Sequence, residues 1–276
     1  MKKILLIPYG TEVAFFQRTI ELWQARMPNP QGWTIITYRL APGLENNQLS
    51  FKGNDLVIPE HPEISEAIKY DNGRFSLTGN WSDLEKLHFI YRRIMVSRFL
   101  LSYFEGSLVV YFLTSTSIIN LNLLDFIDLN APTRKFVAGQ FLKCRYGDGH
   151  LSFPSGSGFI TNRIGVASFA EQSNLIPVYD DIWAGLVLKQ FDQIRFPRLD
   201  IIHPHTVSES NINSYLNRIR MAFNSGIWHC RVKLNDNRVS DLTLDNQFLI
   251  LKEAHRVASI EHTASLKSRL LLSELI

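Results

Sequence analysis

The chain has 276 residues, of which 45% are hydrophobic, and this is enough for one large α/β domain or two closely joined ones. Its formal net charge of +3 is too small for the concentrated basic surface of a nucleic-acid-binding protein. The two cysteines, Cys144 and Cys230, exclude a disulfide framework and fit a reducing compartment, and we predict that each is a small buried residue.

The first third of the chain alternates between strand and helix patterns. We predict a strand over residues 3–8, a helix over 12–26 with apolar residues at helical spacing, and a second strand over 33–38. The apolar run 4–7 is too short for the hydrophobic region of a signal peptide, and no membrane-spanning stretch is visible. Strands that alternate with helices predict a mainly parallel sheet.

Glycine and proline residues interrupt the next segment, so we predict loops around one short strand over 55–58. The segment 80–104 has the apolar periodicity of a long helix. We interpret its charged stretch as a solvated face of that helix, and a phosphate site is the alternative. The residues concerned are Tyr91, Arg92, Arg93 and Arg98.

A fully apolar strand is predicted over 108–113, followed by the hydroxyl residues Thr114, Ser115 and Thr116. We predict a short helix over 122–130 and a strand over 135–142. The segment 143–150 contains two glycines and Asp148, and it predicts a loop in which Asp148 is a turn residue.

The segment 153–189 contains the pattern that is most informative about function. We interpret its Ser-Gly repeat as a loop that either contacts a ligand or makes a plain turn, since glycine lets a backbone approach closely. A helix follows, and then Asp180 and Asp181 begin another helix that contains Trp183. Helix capping explains one of these aspartates, and an acidic pair beside a substrate loop could deprotonate a hydroxyl. The repeat consists of Ser155, Gly156, Ser157 and Gly158.

Two further patterns lie in the last quarter of the chain. Alternation over 227–234 would place His229, Arg231 and Lys233 on one face of a strand, either as an exposed basic face or as part of a phosphate site, and Arg238 follows soon after. Helices are predicted over 213–223 and 244–276. The last helix is amphipathic and basic, which is typical of packing on the core, on a sister subunit in a homo-oligomer, or peripherally on an anionic membrane surface.

The order SGSGFITNR, a helix, then DDIWAGLVL resembles the second half of the inverting, GT-A-type β1,3-glycosyltransferases, which include the galactosyltransferases and the fringe proteins. In that family a glycine-rich segment precedes an acidic (E/D)D-x-x-x-G segment. The resemblance covers somewhat under half of the chain. It implies a GT-A-like α/β fold over 1–210, with a Rossmann-type, mostly parallel sheet flanked by helices, and a mainly helical C-terminal extension over 211–276.

The same resemblance implies roles for individual residues. Asp181 stands at the position of the general base that deprotonates the acceptor hydroxyl, and Asp180 would cap the helix or bind an acceptor hydroxyl. The Ser-Gly repeat and Trp183 would contact donor or acceptor. His203-Pro204-His205 resembles the family's His-x-His segment, which helps to ligate a metal; without a metal, His205 would donate to a phosphate.

One departure from the family concerns the metal. The resemblance aligns Thr114, Ser115 and Thr116 with the DxD aspartates that hold a divalent cation, Mn²⁺ or Mg²⁺, and hydroxyls are poor ligands for these ions. We therefore assign no metal ligand. Three explanations stay open: lost catalysis with retained sugar binding, a metal held otherwise, or a donor diphosphate neutralised by cationic side chains. The candidates for such cations are Arg231, Lys233 and Arg238.

The resemblance implies an inverting hexosyltransferase that uses a nucleotide sugar, expected to be a UDP-sugar, to extend a glycan or lipid-linked glycan. A bacterial surface polysaccharide such as lipopolysaccharide or capsule is the expected product, made in the cytoplasm or at the inner face of the plasma membrane. The alternative is a non-catalytic glycan- or nucleotide-binding protein on a degenerate glycosyltransferase fold. An oxidoreductase is a weaker hypothesis, because no G-x-G-x-x-G follows the first strand.

Overall fold

The computed structural model describes residues 1–9, 14–25, 32–41, 49–61, 82–120, 134–195, 200–202, 212–232 and 244–259. The chain forms two compact units. The first comprises Met1–Ala14, Trp33–Thr114 and Ala131–Phe196, and the second comprises Phe15–Gly32, Ser115–Asn130 and Pro197–Ile276. The second unit therefore contains the predicted extension 211–276 together with earlier segments of the chain.

Eleven strands are present in the part of the chain that the structure describes. They are β1 (Lys2–Pro8), β2 (Trp33–Ala41), β3 (Ser50–Lys52), β4 (Asp55–Pro59), β5 (Leu108–Leu113), β6 (Ser117–Ile119), β7 (Phe136–Tyr146), β8 (Gly149–Asn162), β9 (Asp192–Arg195), β10 (Asp200–Ile202) and β11 (His229–Val232). An eight-stranded sheet in the order β3-β4-β2-β1-β5-β8-β7-β9 belongs to the first unit. In it β4, β2, β1 and β5 are parallel, whereas β8 is antiparallel to both neighbours. The predicted α/β class is confirmed.

The helices follow the predicted apolar periodicity closely. They are α1 (Ala14–Gln24), α2 (Asp83–Tyr103), α3 (Arg163–Ala170), α4 (Asp180–Val187), α5 (Ile212–Asn224) and α6 (Leu244–Ser259). A capping box begins α2: the Ser82 hydroxyl accepts the backbone N–H of Glu85, and the Glu85 carboxylate accepts the backbone N–H of Ser82. The predicted helix over 122–130 and the last part of the predicted helix over 244–276 lie outside the described residues.

The apolar core of the first unit lies between the sheet and the helices α2, α3 and α4. Every residue of β5 is buried, as expected for a central parallel strand. Aromatic rings dominate the part of the core beneath α3: Phe112 stacks on Phe159 with ring centroids 5.0 Å apart, and Phe169 stacks on Trp183 at 5.4 Å. This packing fixes α4 against β8, the strand that carries the Ser-Gly repeat.

Two predicted loops are wrong, because both segments belong to strands. The segment 143–150 forms the ends of β7 and β8, joined by a tight turn in which Asp148 lies as predicted. The Ser-Gly repeat lies within β8 and not in a connection between a strand and a helix. Backbone pairing with strands distant in the sequence overrides the weak strand propensity of serine and glycine.

The Ser-Gly repeat is nevertheless irregular. Between the pairs Phe141–Pro154 and Gly139–Phe159, β8 has four residues, 155–158, where β7 has only Gln140. An insertion of this kind is a β-bulge, and it bends the strand and redirects its backbone. Gly158 within it has a φ of 149°, which side-chain-bearing residues rarely adopt. The bulge explains why this strand segment needs glycine.

The second unit contains the sheet β10-β11-β6 and the helices α5 and α6, which pack on each other. The predicted exposed basic face of β11 is wrong at His229, which is fully buried with its Nε2 3.0 Å from the Ser117 hydroxyl. Burial, and then the charge of Arg231, lower the pKa of His229 to about 3. Cys230 is buried as predicted, whereas Cys144 is only partly buried.

None of the helices in the described ranges combines the length and apolar character that crossing a bilayer requires.

Candidate functional site

The parallel strands β1, β2 and β5 end at one edge of the sheet in the first unit. β1 pairs with β2 on one side and with β5 on the other, so the order of the parallel strands reverses at β1. Open α/β sheets leave a crevice for ligands outside the carboxyl ends of their strands at such a point. Tyr9 follows β1 and Thr114 follows β5 at this edge. Thr114 therefore lies at this edge of the sheet, and its contact with a donor stays a prediction.

β8 brings the Ser-Gly repeat to the same edge. Leu113, the last residue of β5, pairs with Gly158, and the bulge residues 155–157 continue past the end of β5. Ser155 and Ser157 are buried, and the backbone N–H of Ser157 donates to the Ser155 hydroxyl at 3.3 Å. Gly156 is the partly exposed member of the repeat. It is therefore the position of the bulge that is open to a ligand.

α4 packs directly on β8 through a glycine. A methyl group on Gly185 would lie 2.3 Å from Cβ of Phe153 and 2.9 Å from its Cα, so the helix touches the strand only because no side chain intervenes. Trp183 is 2% exposed and stacks on Phe169. Its predicted contact with donor or acceptor is wrong, because the helical period turns this side chain into the core, where it anchors α4.

The same packing brings the Asp181 carboxylate against Gly156. A methyl group on Gly156 would lie 3.4 Å from Oδ2 of Asp181. The other carboxylate oxygen, Oδ1, accepts the backbone N–H of Ile182 at 2.9 Å. The predicted proximity of the Ser-Gly repeat and the aspartate pair is thus present in the structure, although a bulged strand supplies it in place of a loop.

The protonated form of the Asp181 carboxyl group is favoured more strongly in the folded protein than it would be in water. Burial, and then the negative charge of Asp180, raise the pKa of Asp181 to about 6, against the opposing effects of the Ile182 N–H and the Arg93 charge. The carboxylate is therefore mostly ionised at neutral pH and holds a proton more tightly than an exposed aspartate. Both properties suit a group that accepts a proton during a reaction.

Asp180 is held by an ion pair with Arg93 of α2. The Asp180 Oδ2 atom lies 2.5 Å from Arg93 Nη2, and the two side chains are 22% and 11% exposed. The N-cap of α4 is Tyr179, and no side chain caps the helix. The predicted capping role of Asp180 is therefore wrong, because its carboxylate is committed to the guanidinium.

The prediction for Arg93 also differs from the structure. Its guanidinium carbon lies between 5.2 and 5.8 Å from the ring centroids of Phe112, Phe159 and Phe169, so the predicted solvated position is wrong. The signal was present in the spacing: Arg93 follows Ile90 by three residues and precedes Ser97 by four, and both are buried. These intervals place all three on one face of α2.

The neighbouring charged residues of α2 are also bound to other groups. Arg92 lies 5.3 Å from the ring centroid of Tyr38 and 4.8 Å from that of Phe89. Arg98 donates to the backbone carbonyls of Ala170 and Gln172. The predicted solvated face is thus partly an inter-element contact surface.

Several predicted site residues are not placed with this cluster. Ser115 and Thr116 belong to the second unit and are buried, and the Ser115 carbonyl accepts from the Trp23 indole at 3.5 Å. Arg231 also belongs to the second unit and is partly buried. His203, His205, Lys233 and Arg238 lie outside the described residues. Their contacts with a donor stay predictions.

The residues near the end of β5 do not fit a divalent cation. Within the described ranges, no group of three or more His, Cys, Asp or Glu side chains is placed to hold a metal ion. The hydroxyl of Thr114 is a poor ligand for Mn²⁺ or Mg²⁺, and the Asp180 carboxylate is occupied by Arg93.

A polar cluster that sequence analysis did not identify supports the residues after β1. The Asp55 carboxylate accepts the Tyr9 phenol and the Thr37 hydroxyl, each at 2.7 Å, and Arg39 lies 3.9 Å from it. Burial, and then the hydrogen bond to Asp55, raise the pKa of Tyr9, so the phenol stays protonated as a donor. This cluster joins a residue that follows β1 to residues of β2 and β4, so it leaves no local signal in the sequence.

No protein-family model and no curated protein matches the sequence. Among solved structures, the chain is similar to the galactosyltransferase LgtC in complex with donor and acceptor sugar analogues, with a TM-score of 0.48 and 10% identity, over 97% of this chain and 100% of that one. It is similar to the glycosyltransferase GlyE of Streptococcus pneumoniae TIGR4, with a TM-score of 0.42 and 11% identity, over 99% of this chain and 63% of that one. A glycosyltransferase involved in glycosylation of the major capsid of PBCV-1 is similar with a TM-score of 0.41 and 11% identity, over 90% of this chain and 98% of that one. The resemblance to β1,3-glycosyltransferases stays a prediction.

Proposed function

We propose that the protein is a glycosyltransferase that moves a hexose from a UDP-sugar to a hydroxyl of a glycan or lipid-linked glycan. The observation that supports this is the contact of Gly156 with the Asp181 carboxylate, beside the carboxyl ends of β1 and β5. A position without a side chain leaves room for a sugar next to a proton acceptor. The order of the two segments matches that of the β1,3-glycosyltransferases they resemble.

In the proposed reaction Asp181 is the general base. Its carboxylate takes the proton of the acceptor hydroxyl as that oxygen forms a bond to the anomeric carbon of the donor. The bond from the anomeric carbon to the diphosphate oxygen breaks, and the nucleoside diphosphate leaves with the bonding electrons. Attack on the face opposite the leaving group inverts the anomeric configuration. A pKa of about 6 keeps Asp181 mostly ionised at neutral pH.

The charge that develops on the diphosphate needs neutralisation, and we propose that cationic side chains provide it without a metal ion. Arg231, Lys233, Arg238 and His205 are the candidates from the sequence. The lack of carboxylates at 114–116 favours this version of the mechanism. The setting that follows is the cytoplasmic synthesis of a bacterial surface polysaccharide, where nucleotide sugars and lipid-linked acceptors meet.

The test is UDP release from a panel of UDP-sugars, with and without EDTA, by the wild-type protein and by Asp181→Asn. We expect UDP release that is insensitive to EDTA and that falls about 100-fold or more in Asp181→Asn. Asp192→Asn is the matched control, since Asp192 is an exposed partner of Arg134 on the surface. Full activity of Asp181→Asn would remove the base assignment.

A non-catalytic glycan- or nucleotide-binding protein is the second candidate. The replacement of the DxD aspartates by Thr114, Ser115 and Thr116 favours it. Calorimetry distinguishes the two functions: sugar binding without UDP binding, together with no turnover of any UDP-sugar, would support the non-catalytic protein.

A further inference from the structure

We propose that Arg93 is a positioning residue of this site. Its ion pair holds the Asp180 carboxylate in a fixed position, so that Asp181 is the carboxylate that takes the proton of the acceptor hydroxyl. This inference rests on the proposed function, and it assigns different roles to two consecutive aspartates. Arg93 does not need to touch a substrate for this role. It acts through Asp180.

The first supporting observation is the geometry of the ion pair. Arg93 Nη2 lies 2.5 Å from Asp180 Oδ2, and the pair joins α2 to α4 across 87 residues of sequence. A charge-assisted contact of this length fixes the direction of the Asp180 carboxylate. Asp181 has a different set of contacts, the Ile182 N–H and the position of Gly156. Each of the two carboxylates is thus fixed by its own set of contacts.

The second observation is that apolar groups surround the Arg93 guanidinium. The rings of Phe112, Phe159 and Phe169 lie within 5.8 Å of it, and its Nη1 atom is buried without a hydrogen-bond partner among the described residues. Water screens the charge weakly in such a place, so its attraction for Asp180 is strong. Removing the guanidinium would leave Asp180 without its counter-ion beside a second carboxylate.

The other elements packed on α4 offer no substitute for this charge among the residues described. Lys86 of α2 lies 5.4 Å from the Tyr179 ring centroid and pairs with Asp83. β8 presents serine and glycine at the bulge. Arg163, at the start of α3, donates to the backbone carbonyls of Leu101, Phe104 and Gly106. Among the described residues, Arg93 and Asp180 are therefore the charges that act on the Asp181 carboxyl group in addition to its burial.

The test is direct titration of the Asp181 carboxyl by NMR in protein labelled with ¹³C at the aspartate carboxyl carbon. The Asp181 resonance is identified by its loss in Asp181→Asn. In Arg93→Met we expect the titration midpoint of Asp181 to rise by about one pH unit, because Asp180 loses its counter-ion. In Arg93→Lys, which keeps the positive charge, it should return toward the wild-type value.

Removing the neighbouring negative charge should have the opposite effect. We expect the Asp181 midpoint to fall below the wild-type value in Asp180→Asn, and the double variant Arg93→Met with Asp180→Asn to lose the upward shift. Arg98→Met is the matched control: it removes a guanidinium of the same helix that donates to the backbone carbonyls of Ala170 and Gln172 and to the Met95 sulfur, and it should leave the midpoint in place.

Two results would overturn the proposal. One is an Arg93→Met protein that folds with lower stability but in which Asp181 titrates at the wild-type midpoint. A purely structural role of Arg93 would give this result. The other applies even if Arg93→Met does not fold: an Asp181 midpoint in Asp180→Asn that does not fall below the wild-type value. The expected midpoints in all variants support it.

The failure of this inference and the failure of the proposed function give different results. The carboxyl titration needs no substrate, so it tests Arg93 even if no UDP-sugar is turned over. If transfer is observed, the acidic limb of the pH profile of kcat/KM, which reports on the free enzyme, should move with the NMR midpoint in each variant. Transfer that depends on Asp181 with an acidic limb unmoved by Arg93→Met would retain the base and reject the role of Arg93.

Discussion

Ionisation of Asp181 lowers the free energy of unfolding of the protein. Its pKa is raised from the ordinary 3.8 to about 6 by burial and by Asp180, so the folded protein binds this proton more tightly than the unfolded chain does. Below about pH 4 both states are protonated and the effect vanishes. As the pH rises through about 6, the unfolded state loses its proton first, and folding becomes less favourable. A carboxylate that weakens the fold is typical of a functional position.

This pH dependence of the free energy of unfolding gives a prediction for Asp181→Asn, in which an uncharged amide replaces the carboxyl group. The variant should be more stable than the wild type by about 1 to 3 kcal/mol near pH 8, and the difference should shrink toward zero below about pH 4. Urea unfolding at several pH values measures it. Asp192→Asn, on the exposed surface, should differ from the wild type by less than about 1 kcal/mol at each pH. A destabilised Asp181→Asn at pH 8 would contradict the effect of burial.

Gly156 gives a second prediction at the scale of the residue. A methyl group there would be in ordinary contact with Asp181, 3.4 Å from Oδ2, and the glycine has no positive φ. Gly156→Ala should therefore fold with nearly wild-type stability, and Gly156→Val should cover the carboxylate. We expect transfer activity to fall about 10-fold in the first variant and further in the second. The control is Gly149→Ala, where a methyl group meets no atom within 4 Å.

At the scale of the element, the site depends on the contact of α4 with β8. Gly185 permits it, since a methyl group would lie 2.3 Å from Phe153 Cβ and 2.9 Å from its backbone Cα. The backbone of one element has to move if that space is filled, and α4 carries both aspartates at its first turn. The position of Asp181 is thus set by a glycine one turn further along the same helix.

Gly185→Ala should accordingly reduce both stability and activity. We expect a loss of about 1 to 3 kcal/mol from overpacking, measured by urea unfolding, and a larger proportional loss of transfer than Gly149→Ala shows. Activity that survives at the wild-type level would mean that α4 can move without displacing Asp181.

The elements differ in how far the sequence predicts them, and the reason is the range of the interactions. Local periodicity predicts β1, β5 and α2, because burial on one face or on both leaves a pattern in adjacent residues. The bulge of β8 has the sequence pattern of a loop, because pairing with Leu113 and Phe141 is not visible in the segment itself. Arg93 has the sequence pattern of a solvated residue, because the aromatic rings around it come from three other elements.

At the scale of the whole molecule, the chain forms two units, and the described carboxylate site belongs to the first. The aspartate pair and the Ser-Gly repeat were predicted to meet from their order in the sequence, and they do. The partners of the diphosphate were assigned to segments of the second unit, and several lie outside the described residues. Charge, strand alternation and the family resemblance predict those partners, and none of the three shows which other element a side chain faces.

A property of the whole chain tests whether a donor binds without a metal. UDP at about 100 times its Kd should stabilise the folded protein by about 2.7 kcal/mol and raise Tm by several degrees. Thermal unfolding with UDP, with uridine and with EDTA present or absent measures this. We expect the rise in Tm with UDP to be the same in EDTA and smaller for uridine, which lacks the diphosphate. A rise that EDTA abolishes would indicate a metal held by other residues.

Asp180 and Asp181 are adjacent, and adjacent side chains on an α-helix point about 100° apart around its axis. One therefore points to α2 and the other to the bulge, and neither can replace the other by changing rotamer alone. Inserting or deleting a single residue between Tyr179 and Asp180 would leave the composition of the motif intact, yet it would turn each carboxylate toward the wrong neighbour. The number of residues between this pair and Gly185 thus sets the direction of each carboxylate, and any functional homologue should have the same number.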